Sequence, residues 1–173
     1  MPTIIPNWHP LLVHFPIALI AVSALFTLGA KLLDGKPLAR QWQTVGHWTL
    51  WLAAVAALAA AGAGWFAFNS VSHDEAGHAA MLLHRGWALP TVAAITSLAL
   101  WDGLRTRRSG SASWLFVALL WIAFAAVGAT AWLGGELVYR HGLGVLALPQ
   151  PHTDSDHHHA DHHHDHGAEP GDH

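Results

Sequence analysis

Histidine is the residue type through which this chain can do chemistry. Of 173 residues, sixteen are His and none is Cys, which excludes disulfides, thiolate metal sites, thiolate-ligated haem and covalent haem attachment through CxxCH. Neutral imidazole remains, a good ligand for ferrous haem, zinc, copper or nickel. Seven histidines lie before Leu148 and nine follow it. Of the seven, His9 and His14 lie in "NWHPLLVHFPIALI", His73, His78 and His84 with Arg85 in "NSVSHDEAGHAAMLLHRGWA", His141 with Glu136, Tyr139 and Arg140 in "GGELVYRHG", and His47 stands apart.

The elements that must position these residues are membrane spans. Only 11% of the chain is charged and 53% is hydrophobic, against about 25% charged in soluble domains. Four apolar runs, about 11–33, 45–68, 79–104 and 114–138, each reach the roughly 20 residues that a hydrocarbon core requires. The short connections between them hold Gly35 and Pro37, a polar turn near Asp74, and a basic Gly/Ser stretch after Arg105. The fold expected is all-α: a polytopic membrane protein, a four-transmembrane-helix antiparallel bundle over 1–148, with a tail over 149–173. The first run is too long for a signal-peptide core and has no Lys or Arg before it, so it reads as mature structure.

Lys31, Lys36, Arg40, Arg105, Arg107 and Arg108 fall in or beside the first and third connections, and Asp74 and Glu75 in the second. By the positive-inside rule both termini are extracytoplasmic, in a bacterial inner membrane. Trp8, Trp65, Trp87 and Trp132 then mark the outer interface, and Trp42, Trp48, Trp101 and Trp114 the inner one.

On this topology the polar residues gather at the outer side. His9 lies near the surface and His14 deeper; His84 and Arg85 enter from outside on the third span, and Glu136 arrives there on the fourth. Ionisable groups within a span cost about 2.5–3.5 kcal/mol each unless paired or hydrated, so these groups are expected to compensate one another. Three arrangements do so. His14 and His84 can be axial ligands of a haem b, with Arg85 near a propionate and Trp87 and Trp132 walling the ring. His14, His84 and Glu136 can form a two-His-one-carboxylate metal site, with His9, His78 and His141 as further ligands. Alternatively Arg85 pairs with Glu136, the histidines bond to carbonyls freed by Pro16, and the layer only fixes packing. Pro10 can occupy a first-turn position, whereas Pro16 frees the carbonyl of Leu12, and the resulting kink is expected to aim His14 at His84 and Glu136.

Three further features carry no site. The second span is nearly all small residues, with Ala60 and Gly64 in small-xxx-small spacing, and reads as close helix packing. His47, at the inner side, reads as an interfacial or hydrogen-bonded histidine. Asp102 is spaced to pair with Arg105 at i,i+3.

The tail has no apolar periodicity and too little hydrophobic content to fold alone, so it is expected to be disordered without metal. Its clusters, His157, His158 and His159, then His162, His163, His164 and His166, suit weak, exchangeable capture of Zn, Ni, Cu or Co, tightening as pH rises above about 6.5. Tethering would concentrate metal beside the outer polar layer.

"HPLLVHFPIALI", "HAAMLLHRGWA" and "GGELVYRHG" resemble the bacterial predicted-membrane-protein family called domain of unknown function 2231, over the spans and not the tail. The resemblance implies the four-span fold, and because some members are joined to cytochrome c-type domains it implies redox or haem chemistry by association. The positions it would mark are His9, His14, His84, Arg85, Glu136, Tyr139 and His141.

Three functions follow: haem-binding electron transfer, metal handling, and a structural or accessory membrane subunit. The partners they imply are the lipid bilayer, a cytochrome or metal-transport protein, or further copies of the chain in a homo-oligomer. No nucleophile–base arrangement, phosphate loop or nucleic-acid patch is present, so if the chain has enzymatic activity it is as a haem-dependent membrane oxidoreductase component. Permeation by this chain alone is disfavoured, because the second and fourth spans offer no polar stripe through the inner half.

Overall fold

Each apolar run folds as a helix whose ends continue past the apolar residues until a turn residue or cap stops them. A computed structural model describes residues 8–71, 74–107 and 111–145. In chain order the helices are α1 (His9–Leu12), α2 (His14–Leu32), α3 (Pro37–Ser70), α4 (Glu75–Arg107) and α5 (Trp114–His141). α1 and α2 together make one candidate span, and four helices in all are long and apolar enough to cross a membrane. The 34 residues of α3 rise about 51 Å, well beyond a hydrocarbon core of about 30 Å. Its polar first turns extend the helix past the expected start near residue 45. The tail, His73 and Arg108 lie outside the described residues.

Pro16 accounts for the break between α1 and α2. It cannot donate to Leu12, and the bond from Ile17 to the Val13 carbonyl is stretched to 3.4 Å. Pro10 sits in the first turn of α1, where its missing N–H is harmless. Pro90 falls inside α4 and faces, with Trp87, Trp101 and Ile122, an open apolar groove of about 630 Å³ between α4 and α5.

The helices pack in a ring: α2 against α3, α3 against α4, α4 against α5, and α5 against α2. Short connections make neighbours antiparallel, so residue 8 and residue 145 emerge at the same end. The interior is a stripe from each helix: Ile20 and Ala24, Leu50, Ala53 and Ala57, Ile95 and Leu98, and Phe116, Leu120 and Ala123. Lipid tails are as apolar as these residues, so close packing must hold the helices together. Small residues supply it between α2 and α3, where the buried Ser23 hydroxyl donates to the Gly46 carbonyl at 2.9 Å. Trp8, Trp65, Trp87 and Trp132 are exposed towards the end that carries both termini, and Trp48, Trp101 and Trp114 towards the other.

Ser113 caps α5, its side chain accepting from the Phe116 N–H at 3.1 Å. Ser113→Ala is expected to cost about 1 kcal/mol, read as a small drop in the thermal midpoint of the detergent-solubilised protein, with Ser113→Asp holding it.

Candidate functional site

At the end of the bundle carrying the termini, two imidazoles from different helices meet. His9, at the start of α1, donates from Nδ1 to the Ala60 carbonyl of α3 at 2.8 Å. A carbonyl can only accept, so Nδ1 carries a proton. Gly64, one turn further along α3, makes room for that ring: a Cβ there would lie 2.9 Å from His9 Cε1. His84 reaches the same place from α4, its ring centroid 6.2 Å from that of His9 and its plane turned by 82°. It rests against Gly134 of α5, where a Cβ would lie 3.3 Å from His84 Cε1, and the Thr130 backbone is a neighbouring hydrogen-bonding group. Its Nδ1 is buried with no hydrogen-bond partner among the described residues.

The residues expected beside His84 are placed elsewhere. His14 is exposed, so the break at Pro16 does not aim it inward, and His9 stands at His84 instead. Five residues at about 100° each put His14 about 140° around the helix from His9, so the two cannot share an inward face. Arg85 does not pair with Glu136: its guanidinium lies over the Trp65 ring at 4.8 Å and the Phe68 ring at 5.2 Å. Glu136 pairs with Arg140 one turn on, the local i,i+4 contact being shorter in reach than one across the bundle. Trp87 and Trp132 face outward, 49% and 72% exposed, and do not wall a site. His78 is exposed and packs beside Phe68 at 5.7 Å, while Tyr139 and His141 are exposed at the end of α5. Among the described residues no three His, Asp or Glu side chains converge as a metal site. His157, His158, His159, His162, His163, His164 and His166 lie outside the described residues.

A second cluster lies at the opposite end. Asp102 of α4, 1% exposed, is paired both with Arg105 one turn on and with Nδ1 of His47 from α3. The Arg105 guanidinium also lies over the Phe116 ring of α5 at 5.0 Å. The carboxylate is thus held by one partner on its own helix and one on the preceding helix α3. The i,i+3 spacing had signalled Arg105; nothing in linear spacing could signal His47, which is 55 residues away.

The seat of His9 was also read differently from sequence. Ala60 and Gly64 had indicated helix packing alone, yet one supplies the carbonyl and the other the space for an imidazole. A signal was available. The buried positions Pro16, Ile20, Ser23 and Thr27 of α2 form a stripe that, extended backward by seven residues, reaches His9 and bypasses His14.

A family model described as predicted membrane protein (DUF2231) matches residues 6–147. Neither the curated proteins nor the solved structures compared with the chain include a match.

Proposed function

Since the chain belongs to the DUF2231 family of predicted membrane proteins, and its histidines meet at one pair, we propose that it binds a transition-metal ion through His9 and His84 and serves in metal handling at the extracytoplasmic face of a bacterial inner membrane. One observation carries this reading: His9 is held by its Nδ1–H on the Ala60 carbonyl, with the His84 ring beside it and the Thr130 backbone of α5 as a neighbouring hydrogen-bonding group of His84. A metal-binding histidine characteristically donates its other ring N–H to a carbonyl or carboxylate, which fixes the tautomer that can ligate. The haem alternative requires His14 opposite His84, and His14 is exposed.

The basic connections support the orientation, since Lys31, Lys36, Arg40 and Arg105 lie towards the end opposite the termini. An even number of spans returns the chain to its starting side, so the His-rich tail leaves at the end where His9 and His84 meet. It is suited to collect ions and raise their local concentration there. A metal-transport protein is the partner this role implies.

The test is metal content and the visible spectrum of the detergent-purified full chain with the tail histidines replaced by Gln, so that only the bundle can hold metal. The expected result is a protein without a Soret band that retains about one equivalent of transition metal, lost in both His9→Ala and His84→Ala. A Soret band abolished by His84→Ala would replace the metal with haem, and a protein equally metal-free with and without the two histidines would leave the polar layer a packing device.

A further inference from the structure

Two arginines stand at the end of the bundle that carries the termini, and they are balanced differently. Arg140 has a side chain 73% exposed and pairs with Glu136. Arg85 is partly buried, yet it forms an ion pair with none of the described residues. The described acids at this end are engaged or out of reach. Asp74 accepts from the Gly77 N–H at 2.7 Å, Glu136 is taken by Arg140, and Glu75 precedes Arg85 by ten residues of α4, about 15 Å along the axis. What Arg85 touches is aromatic: the Trp65 ring at 4.8 Å and the Phe68 ring at 5.2 Å. Such faces attract the positive charge, but the N–H donors of the guanidinium still require oxygen acceptors.

We infer that the acceptor is the phosphate of a membrane phospholipid, held by Arg85 on the seat that Trp65 and Phe68 form along the seam of α3 and α4. Depth is the first argument. Arg85 lies against Trp65 and two residues before Trp87, both in the aromatic belt of this end, and such belts sit at the level of lipid headgroups. Direction is the second. Trp65 is 57% exposed and Phe66 beside it 77%, so the seat opens towards lipid, whereas His84, about 100° around α4 from Arg85, meets His9 and Gly134. The third is the donor set itself. A guanidinium offers a planar fork that matches two phosphate oxygens at once, and a charge within a span is tolerated when something pairs with it. At this depth the bilayer is the abundant source of that anion. No metal enters the contact, so its test is separate from that of His9 and His84.

The experiment uses the detergent-purified full chain with a chelator present at pH about 8, where the tail imidazoles are neutral. Phosphatidylglycerol, diacylglycerol with the same acyl chains, and inorganic phosphate are the probes, with native mass spectrometry and the thermal midpoint as readouts. The expected result is one phosphatidylglycerol retained and a raised midpoint, with no retention of diacylglycerol and no displacement of the lipid by inorganic phosphate. Arg85→Gln should weaken retention by about tenfold or more, the loss expected for a charge-assisted contact. Arg85→Lys keeps the charge and loses the fork, so it should fold as the parent does and bind with intermediate strength. Arg140→Gln is the control and should match the parent, because Arg140 lies on another helix and is already paired. Retention unchanged in both Arg85 variants, or diacylglycerol held as tightly as phosphatidylglycerol, overturns the phosphate contact. Displacement by inorganic phosphate at equal concentration overturns the lipid as its source.

Discussion

Asp102→Ala is expected to destabilise the bundle by about 3–5 kcal/mol, the range for removing one partner of a buried ion pair. The cost comes from what remains. Arg105, with a side chain 11% exposed, would keep its charge, and His47 would lose its acceptor, at a depth where little water can compensate. The Asp102 carboxylate also ties α4 to α3 through His47. Asp102→Asn keeps an acceptor for His47 and should cost less. The internal comparison is Asp34→Ala: Asp34 pairs with Lys31 at 3.3 Å but is 58% exposed, and such a surface pair is worth about 0–1 kcal/mol. Unfolding of the detergent-solubilised variants by heat or SDS gives the readout. Equal midpoints for Asp102→Ala and Asp34→Ala would show that the network contributes nothing to holding the bundle.

Why the fold was legible and the site only partly so follows from what each depends on. A span needs about 20 apolar residues in sequence, a property of the linear chain, and the four runs and the breaks at Gly35 and Asp74 could be read directly. α3 begins before the apolar run because helix continues through polar residues such as Gln41 and Gln43 outside the hydrocarbon, where hydropathy has no signal.

The site depends on rotation about helix axes. Depth favoured His14, and only the phase of the buried stripe selects His9. His84 lies on the stripe that runs through Met81, Thr91, Ile95, Leu98 and Asp102, and the residue beside it is His9 rather than His14. The same stripe shows why the two polar clusters stay separate. Ile20, Leu50, Ile95, Leu120 and Phe116 fill the middle with side chains under 2% exposed, so neither cluster communicates with the other through polar groups. A binding role at one end is compatible with this interior.

Gly64→Ala should separate binding from stability in opposite directions. Within α3 a glycine costs about 1 kcal/mol relative to alanine, so on helix propensity alone the substitution stabilises. Its Cβ, however, would lie 2.9 Å from Cε1 and 3.0 Å from Nδ1 of His9, closer than such contacts allow. The backbone of α3 is fixed by its own hydrogen bonds, so His9, carried on the short α1, is the group that gives way. Displaced, it loses the Ala60 carbonyl that sets its tautomer, and loss of such a supporting contact typically weakens metal binding by about 10–100-fold. Gly62→Ala is the matched control, because a Cβ at Gly62 meets nothing within 4 Å. It should bring the same gain in helix stability with no change in affinity. Metal titration and thermal unfolding of the two variants, in the background lacking tail histidines, give the comparison. If Gly64→Ala binds metal as tightly as Gly62→Ala, His9 is not held for ligation by the seat that Ala60 and Gly64 form.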